Sequence, residues 1–600
     1  MSGAKWIIDT NDANIPLMAE TLGISPFTAH VLANRGVRSK NAAIKYLSAD
    51  MRYMHDASQL ADIDKAVDIL LESIRAAEPI VVYGDYDVDG VTSTVILYKL
   101  IARLKGKVSY YIPQREDEGY GLNLDAVDKL AAKGIKLLLT CDNGIAAHAE
   151  IAEAKRRGIK VIVLDHHEPS FEADETGARR EMIPCADAVI DPKRADCAYP
   201  CKTLCAGGLA YKFAAYVHAR LGADFTHEKE YLALAAVATF CDVVDLQDEN
   251  RIIAKRGLAA INKNADGNLG LRALLRAKRL AHKKLSAFDI GFLIGPCINA
   301  TGRLEHAALS VELLLAVEES QADKIAAILT DLNEARKALT TEAYEATLSA
   351  LPPAPDKVLV LYNPTVHESI AGIVAGRVKE RVCHPTLVLT DSTDGLVKGS
   401  ARSIEGFHMF EALLACKDLF TRFGGHAMAA GLTMDKDNIA ELRARLNAAC
   451  TLTETDFVPV LHMDAELAPK DATYALAEQL SVLEPFGKAN REPLFVSHNL
   501  LAAPVEVIGA NKTTLRFTFQ LENNRSLKGI CFGKLDAFAD MLRSRFPAET
   551  VDAFVSGAPG GLTLRLDVVY GLEINEYNGS ASVQLRIVDF RFAEAWAKEG

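Results

Sequence analysis

Carboxylate and imidazole side chains follow four apolar runs in the first half of the chain. The residues concerned are Asp85, Asp87, Asp89, Asp142, Asp165, His166, His167 and Asp242. We predict that these runs are strand ends of one open sheet, and such sheets bind ligands outside the carboxyl ends of their strands. Because alternate residues of an extended chain point the same way, we expect Asp85, Asp87 and Asp89 to converge on one point.

Five or more carboxylates in one crevice repel one another, at a cost of several kcal/mol unless a cation neutralises them. Oxygen ligands with one or two imidazoles and no thiolate favour Mn²⁺ or Mg²⁺ over structural Zn²⁺. Two such ions about 3.5–4 Å apart are the recurring machinery of in-line phosphoryl displacement. The residues together therefore predict a site for two divalent ions, Mn²⁺ or Mg²⁺.

Each motif taken alone has an ordinary alternative. The segment Asp85–Gly90 resembles a calcium loop, although glutamate is missing at its twelfth position. Asp142 alone would suit the N-cap of the following helix, and His166 with His167 would suit the surface. Their common position at strand ends favours the metal site over three separate explanations.

Apolar runs alternate with helical stretches from about residue 60, which predicts an α/β domain with a parallel sheet covered on both faces. The predicted strands are 80–83, 107–112, 135–140 and 160–164, and the predicted helices are 92–104, 125–133 and 146–157. A second, smaller α/β segment has strands at 358–361 and 385–389 around a helix at 371–381. Short alternating segments beyond 455 predict a small barrel or sandwich.

The chain of 600 residues has room for about four domains. We expect an N-terminal helical segment (1–55), a catalytic α/β domain (56–307), a connecting long helix (308–350), a second α/β domain (351–455) and a β-barrel domain (456–600). The prolines of Leu351–Pro355 end the long helix.

The overall composition is that of a globular protein, with 49% hydrophobic and 24% charged residues. No apolar run reaches the length of a membrane span, and no secretory signal is visible. The 11 cysteines are scattered, which favours reduced thiols in the cytoplasm. Four of them lie close together at a spacing that fits no common zinc motif: Cys185, Cys197, Cys201 and Cys205.

The net charge of −12 by itself argues against a nucleic-acid partner. Part of that acidity, however, belongs to the predicted metal ligands. From Arg251 to Lys284 the chain has ten Lys or Arg residues against one acid, Asp266, so a local basic surface is compatible with the acidic total. The alternative is a solvated helix face.

The sequence resembles the DHH phosphoesterase superfamily through Asp85–Gly90, Asp142–Gly144, Asp165–His167 and Asp242. Further motifs resemble its bacterial single-stranded-DNA-specific exonucleases. They are EDEGYGLN (116–123), LTCDNGIAAH (139–148), GPCINATGRLEHA (295–307), VKGSARSIEGFHMFEAL (397–413), FGGHAMAAGL (423–432) and LEINEYNGSASVQLRIVDF (572–590). The resemblance extends from about residue 60 to the C-terminus, with Val88 and Thr301 where alanine is common.

The resemblance implies a role for each matching residue. Metal ligands would be Asp85, Asp87, Asp89, Asp142, His166 and Asp242, with Asp142 bridging two ions. Asp165 would orient a histidine, and His167 would contact the scissile phosphate and assist the leaving group. Asn299 and Arg303 would lie on a loop that reaches over the phosphate, where an arginine fork suits two phosphate oxygens. Substrate contacts in the second α/β domain, the DHHA1 domain of this family, would come from Ser400, Arg402, Ser403, Gly424, Gly425 and His426.

The implied activity is two-metal hydrolysis of single-stranded DNA from its 5′ end, with release of 5′-mononucleotides, in DNA repair and recombination. The implied partners are a single-stranded-DNA-binding protein and a helicase, with a monomeric enzyme and no membrane. The C-terminal segment would be an oligonucleotide-binding (OB) barrel, whose aromatic residues Phe517, Phe519, Tyr570 and Tyr577 either stack on bases or fill the core.

Two alternatives stay open at this point. One is a related phosphodiesterase that acts on short oligonucleotides, cyclic dinucleotides or polyphosphate. The other is a non-catalytic replication scaffold, which would have lost metal ligands, whereas every ligand position here is filled.

Overall fold

The computed structural model describes most of the chain. The residues described are 3–114, 118–119, 121–173, 179–263, 267–352, 354–392, 395–509, 512–522, 525–558, 561–577 and 579–594. Two compact units are present, one formed by Met1–Ser48 with Val458–Gly600 and the other by Ala49–Phe457. None of the described helices combines the length and the apolar character needed to cross a membrane.

The N-terminal segment is one strand followed by three short helices. These are β1 (Lys5–Ile8), α1 (Ile15–Leu22), α2 (Pro26–Asn34) and α3 (Lys40–Ser48). Ser25 caps α2 by accepting a hydrogen bond from the Thr28 amide, and Pro26 occupies the first turn, where no N–H is needed.

The first α/β region alternates strands and helices as predicted. Its elements are α4 (Ile63–Arg75), β2 (Pro79–Tyr83), α5 (Val88–Arg103), β3 (Lys107–Tyr111), α6 (Leu124–Ala132), β4 (Leu137–Cys141), α7 (His148–Arg156), β5 (Lys160–Leu164), β6 (Ser170–Ala173), β7 (Arg179–Met182) and β8 (Ala188–Ile190). β6 and β7 form a separate hairpin.

The main sheet of this region is parallel, with the strand order β3-β2-β4-β5-β8. The chain passes from β2 to β3 on one side and then returns to place β4 on the other side of β2. The carboxyl ends of β2 and β4 therefore flank a topological switch point, where open α/β sheets bind their ligands. Every residue of β4 is buried, as expected for a strand covered on both faces.

Helices complete the first α/β region. They are α8 (Ala206–Arg220), α9 (Glu228–Cys241), α10 (Asp248–Lys263), α11 (Leu269–Ala277), a π-helix (Asp289–Ile294), α12 (Gly295–Leu304), α13 (Ala308–Leu315) and α14 (Glu319–Ser349). The long helix predicted at 308–350 is thus two helices, since the chain is extended at Glu318 between α13 and α14.

The second α/β region has a mixed five-stranded sheet. Its elements are β9 (Leu359–Tyr362), α15 (Ala371–Val382), β10 (Thr386–Asp391), β11 (Val397–Arg402), α16 (Met409–Leu414), β12 (Phe420–His426), β13 (Ala429–Met434) and α17 (Ile439–Ala449). The strand order is β12-β13-β11-β10-β9, and only the pairing of β9 with β10 is parallel.

The C-terminal region forms a closed barrel. Its elements are β14 (Val460–Met463), β15 (Ala465–Glu466), α18 (Tyr474–Ser481), β16 (Phe495–Ile508), β17 (Thr514–Gln520), β18 (Ser526–Phe532), α19 (Leu535–Arg543), α20 (Ala548–Val555), β19 (Leu562–Tyr577) and β20 (Ser580–Phe592). The order β16-β17-β18-β20-β19 closes because β19 also pairs with β16. The predicted barrel is confirmed, with longer strands than expected.

The N-terminal segment belongs to the same compact unit as this barrel. Strand β1 pairs in parallel with β14, and Leu32 and Phe27 pack with the barrel core around Phe495. This association of the two ends of the chain was not predicted, because pairing between residues that are hundreds of positions apart leaves no local pattern.

Candidate metal centre and substrate cleft

The turn between strand β2 and helix α5 positions the first two predicted ligands. Asp85 follows the strand and is buried, and Asp87 is the N-cap of α5. The Gly90 amide donates to Asp87 Oδ1 over 2.9 Å, an interaction for which aspartate is favoured at this position. A Cβ atom at Gly90 would lie 2.6 Å from the Asp85 backbone, so only glycine permits this close approach of helix and loop.

Asp89 does not converge with Asp85 and Asp87 as we expected. Helix α5 begins at Val88, four residues earlier than predicted, so Asp89 lies in its first turn rather than on an extended chain. Its carboxylate accepts hydrogen bonds from the amides of Ala206 and Gly207, each over 2.7 Å. These amides begin helix α8, where N–H groups lack a partner within the helix and favour a negative charge.

His166 lies between three of the predicted carboxylate ligands. Its Nε2 atom is 3.1 Å from Oδ1 of Asp142 and 3.5 Å from Oδ2 of Asp89. Its Nδ1 atom is 3.9 Å from Oδ2 of Asp242. Asp242 caps the end of helix α9, so the prediction that it follows a strand is wrong.

The ligand atoms of these residues form three groups of three. Among the described residues, the groups whose atoms lie within 4.8 Å of one another are Asp85 with Asp87 and Asp142, Asp89 with His166 and Asp242, and Asp142 with His166 and His167. We call Asp85, Asp87, Asp89, Asp142, His166 and Asp242 the ligand cluster. Asp142 and His166 each belong to two of the groups, so both lie where the sets of ligand atoms meet.

Burial shifts the pKa values of the cluster in the direction expected for carboxylates without a counter-charge. Desolvation, with repulsion from neighbouring aspartates, raises the pKa of Asp89 and of Asp242 to about 7 and that of Asp142 well above its usual range. Desolvation lowers the pKa of His166, which favours the neutral imidazole that binds metals. Five carboxylates with one imidazole and no thiolate fit a hard divalent cation such as Mn²⁺ or Mg²⁺.

Asp165 lies beside the cluster and accepts several hydrogen bonds. It accepts from Nδ1 of His167 over 2.7 Å, from the Ile145 amide over 2.9 Å and from the His166 amide over 2.8 Å. Burial acts to raise the pKa of Asp165, but the hydrogen bond and charge of His167, the charge of His166 and the hydrogen bond from the Ile145 amide together outweigh burial and lower this pKa. Burial acts to lower the pKa of His167, but the hydrogen bond to Asp165 together with the charges of Asp165, Asp242 and Asp89 raises that pKa to about 9.

Asn299 and Arg303 lie on helix α12 and not in a loop as predicted. The side-chain oxygen of Asn299 accepts a hydrogen bond of 3.0 Å from the amide of Val88, the first residue of α5. The guanidinium of Arg303 donates to the carbonyl of Ser369 in the second α/β region. Helix α12 therefore connects the loop of Asp85 and Asp87 to that second region.

The register of three neighbouring strands places most of the other predicted substrate residues on one face. Directly opposed residues across β11, β13 and β12 form two rows, Ser400–Gly431–Gly424 and Arg402–Ala429–His426. Residues two apart on a strand share a face, so both rows face the same side. The small residues of the central strand leave this surface, which we call the polar sheet face, open between its polar side chains.

Ser403 and Gly425 have other surroundings. Ser403 is buried, and its hydroxyl donates to the Phe407 carbonyl over 2.6 Å, so it holds the chain turn after β11. Gly425 lies between the two rows on strand β12 and pairs with Ala430.

A cleft of about 910 Å³ joins the two α/β regions. Its walls include Tyr86 and Gly119 from the first region and Lys398, Ser400 and Gly424 from the second. Tyr86 lies between Asp85 and Asp87 in the loop after β2, so the cleft runs from that loop to the polar sheet face.

The basic run between Arg251 and Lys284 is partly neutralised by ion pairs within the fold. Arg251 is buried, and the acidic side chains of α14 pair with several of the others. The ion pairs include Arg272 and Arg276 with Glu319, Arg276 with Asp323 and Lys278 with Glu334. The run therefore does not form one continuous basic groove, and Asp266 lies outside the described residues.

Other predictions concerned aromatic and cysteine side chains. Phe517, Phe519 and Tyr570 are fully buried in the barrel, which confirms the core interpretation for them. The side chain of Tyr577 and residues Glu116, Asp117 and Tyr120 of the motif at 116–123 lie outside the described part. Among the described residues, the candidate metal-binding groups include none of the cysteines Cys185, Cys197, Cys201 and Cys205.

Sequence reasoning missed the backbone amides that hold the buried carboxylates. The amides of Ala206 and Gly207 bind Asp89, and that of Ile145 binds Asp165. A pair of glycines at the start of an apolar helical run, Gly207 and Gly208, was the available signal for a close backbone approach. The amide of Ile145 had no such signal, since any residue supplies a backbone N–H.

Family comparisons agree with this architecture. The family models described as the DHH family N-terminal domain, the DHHA1 domain and the RecJ OB domain match residues 79–239, 356–452 and 463–589. The three matches cover the first α/β region, the second α/β region and the closed barrel.

Individual relatives match along nearly the whole chain. The single-stranded-DNA-specific exonuclease RecJ of Bacillus subtilis is 34% identical over 99% of this chain and 71% of its own length. The protein of that name from Dickeya dadantii is 34% identical over 92% of this chain and 94% of its own. A crystal structure of RecJ from Thermus thermophilus in complex with Mn²⁺ superposes with a TM-score of 0.79 and 28% identity, covering 98% of this chain and 79% of that one. The chain therefore belongs to the RecJ family of single-stranded-DNA-specific exonucleases, within the DHH phosphoesterases.

Proposed function

We propose that this chain is a 5′→3′ exonuclease specific for single-stranded DNA, which hydrolyses phosphodiester bonds and releases 5′-mononucleotides. The observation that supports this most directly is the cleft that runs from the loop of Asp85 and Asp87 to the polar sheet face. Tyr86, which lies between two predicted metal ligands, lines one end, and Ser400 and Lys398 line the other, an arrangement that suits a strand with its terminal nucleotide in the cleft.

Two divalent ions, Mn²⁺ or Mg²⁺, would be held by the ligand cluster. Asp85 and Asp87 would bind one ion, Asp89, His166 and Asp242 the other, and Asp142 both. The grouping of ligand atoms within 4.8 Å supports this division. Such ions supply Lewis acidity, which activates water and neutralises charge on the phosphate.

His167 is the proposed proton donor to the leaving 3′ oxygen of the terminal nucleotide. Its hydrogen bond to the buried Asp165 orients the ring, and this bond together with the neighbouring aspartate charges outweighs burial and raises the pKa of His167 to about 9, so the imidazolium is available at neutral pH. The guanidinium of Arg303, oriented by the Ser369 carbonyl, would grip oxygens of the same phosphate. Asn299 positions the helix start that carries Asp87 and Asp89.

The polar sheet face would bind the 5′ phosphate and its neighbours. Ser400, Arg402 and His426 supply hydroxyl, guanidinium and imidazole groups, and Gly424, where a Cβ atom would meet nothing within 4 Å, leaves room for a phosphate. Gly425 would act by letting strand β12 approach β13, since a Cβ atom there would lie 2.4 Å from the Ala429 carbonyl. Ser403 would act by holding the turn that follows Arg402. A terminal phosphate bound there would define the polarity of degradation.

The proposal extends to the setting of the enzyme. By resemblance, it acts in DNA repair and recombination in the cytoplasm as a monomer, beside a single-stranded-DNA-binding protein and a helicase. Light scattering of the purified full-length chain tests the monomer, and a dimer would contradict it.

The deciding experiment compares single strands labelled at the 5′ or 3′ end, incubated with Mn²⁺ beside dinucleotide and polyphosphate substrates. We expect mononucleotides to be released from the 5′ end. Faster hydrolysis of the dinucleotide than of a long strand would contradict the exonuclease.

The matched variants are Asp87→Ala and Asp128→Ala. Asp128 is exposed and paired with Arg157 on the surface, so its loss should leave the activity unchanged. Asp87→Ala should lower turnover by more than about a hundredfold while DNA binding survives, because a ligand is lost and the phosphate contacts remain. Full activity of Asp87→Ala would show that the ligand assignment is wrong.

A further inference from the structure

Two phenylalanine rings stack on each other at the surface of the catalytic region. Phe288 and Phe292 are 60% and 67% exposed, and their ring centroids lie 4.9 Å apart with an angle of 19° between the planes. Single exposed apolar residues are ordinary, but paired exposed rings are a contiguous apolar surface of the kind that marks interaction sites.

The rings are held beside the ligand cluster by the packing of their helix. The π-helix Asp289–Ile294 packs against the end of α9, whose next residue is Asp242. A Cβ atom at Gly291 would lie 3.6 Å from the carbonyl of Phe240, and one at Gly295 would lie 2.4 Å from the sulfur of Cys241. The π-helix and the metal ligand Asp242 are therefore neighbours.

The surface next to the rings is positively charged. Arg279, Lys283 and Lys284 are exposed in the loop that leads to Phe288. The acid in this stretch, Asp289, is buried and accepts hydrogen bonds from Lys283 and Ser286. Exposed aromatic rings among cations are the combination that binds single-stranded nucleic acids, because bases stack on the rings while cations hold the phosphates.

We propose that Phe288 and Phe292 form a stacking platform for bases of the DNA strand on the 3′ side of the scissile bond. This inference rests on the proposed function, in which the 5′ terminus occupies the cleft on the Asp85 side. The strand beyond the scissile phosphate then leaves on the Asp242 side, where the platform lies. Base faces are hidden inside a double helix, so the platform selects unpaired strands without selecting a base sequence.

The test uses the full-length, Mn²⁺-loaded enzyme with the variant Phe288→Ala/Phe292→Ala. Two strands of about 16 nucleotides are compared, one normal and one that lacks bases at several positions after the first two nucleotides. On the normal strand we expect kcat/KM to fall about fivefold or more. On the strand without those bases, the variant and the unaltered enzyme should differ by less than about twofold, since no base is there to stack.

Two further variants separate stacking from general effects. Phe292→Trp keeps an aromatic ring and should retain the normal kcat/KM. Phe171→Ala removes another exposed phenylalanine, on strand β6, and should change neither substrate. Thermal unfolding of each variant shows that the fold is retained.

The result has distinct outcomes. An equal loss of kcat/KM on both strands in the double variant would overturn the platform. An unchanged kcat/KM on the normal strand would also overturn it, and a protein partner would then be the remaining candidate to cover the two rings. If the unaltered enzyme releases no nucleotides from either strand, the proposed function itself fails. Loss in Phe292→Trp equal to that in the double variant would also overturn stacking.

Discussion

The Nε2 atom of His166 lies 3.1 Å from Oδ1 of Asp142, and this contact joins the two halves of the ligand cluster. Asp142 groups with Asp85 and Asp87, whereas His166 groups with Asp89 and Asp242. The contact follows from the fold, because strands β4 and β5 are adjacent and each releases one of these residues at its carboxyl end. Removing either partner should therefore disturb both halves.

Replacing Asp142, the carboxylate proposed to bind both ions, should reduce the number of bound metal ions more than replacing a carboxylate that binds only one. We expect Asp142→Asn to abolish binding of both Mn²⁺ ions and Asp87→Asn to abolish one, because an amide is a weaker ligand of similar size. Isothermal titration calorimetry measures the number of ions bound per chain.

The surface variant Asp128→Asn is the control and should bind as many ions as the unaltered protein. Loss of a single ion in Asp142→Asn would contradict a bridging role for Asp142.

Stabilisation by Mn²⁺ should increase with pH. Without metal, burial raises the pKa of Asp89 and of Asp242 to about 7. The protonated groups therefore contribute fully to the stability of the metal-free fold below their ordinary pKa of 3.8, and this contribution is lost as the pH rises through about 7. Mn²⁺ must displace their protons, so its effect on the melting temperature should grow between about pH 5.5 and 8.

Thermal unfolding with Mn²⁺ and with a chelator, at several pH values, checks this expectation. The same series on Asp142→Asn should be nearly flat. A gain from Mn²⁺ that falls with rising pH would contradict the assignment of buried, protonated carboxylates.

The variant Asp165→Asn should move the alkaline limit of activity to lower pH. Burial acts to lower the pKa of His167, and the hydrogen bond of 2.7 Å and the charge of Asp165 are the main causes that raise it to about 9, whereas an amide lacks the charge that favours the imidazolium. His167 should then lose its proton at a lower pH, so kcat should fall earlier as the pH increases.

The pH profile of kcat is the measurement, and the melting temperature shows whether the fold survives the change. A uniform loss of kcat at all pH values would indicate that Asp165 acts only on structure. An alkaline limit that moves upward would contradict the assigned sign.

The variant Gly302→Ala should impair catalysis with little change in the overall fold. A Cβ atom there would lie 2.7 Å from the backbone oxygen of Tyr86 and 3.0 Å from its Cβ. Helix α12 would have to move away from the loop that carries Asp85 and Asp87, and displacements near 1 Å can cost about a hundredfold in rate.

The matched control is Gly376→Ala on helix α15, where a Cβ atom would meet nothing within 4 Å. That change should leave kcat unchanged and stabilise the helix by about 0.5–1 kcal/mol. Unaltered kcat in Gly302→Ala would show that the contact with Tyr86 does not position the loop.

The parallel sheet and the ligand residues were predictable because both depend on local patterns. Buried strands are apolar runs such as Leu137–Cys141, and their polar ends are the next residues in the chain. The resemblance to the DHH phosphoesterases, based on the same short motifs, led to the family that the comparisons show.

The grouping of the ligands was not predictable in the same way. Because helix α5 starts early, Asp89 lies within the helix, where each residue is rotated by about 100° from the one before it, and its side chain points away from that of Asp87. The position at which a helix starts depends on small differences in energy, and here the cap formed by Asp87 determines it. Asp242 then meets Asp89 because a helix, not a strand, brings it there.

Surface charge and aromatic exposure depend even more on contacts between distant segments. The charge of Arg276 is neutralised by an ion pair with Asp323, which lies 47 residues away in the chain. A run of basic residues in the sequence is therefore not necessarily a basic groove in the fold. Phe517 and Phe292 are the same residue type, yet one is in the barrel core and the other is 67% exposed. Composition and spacing record which groups are present, whereas packing between distant segments determines which of them meet each other and which remain in solvent.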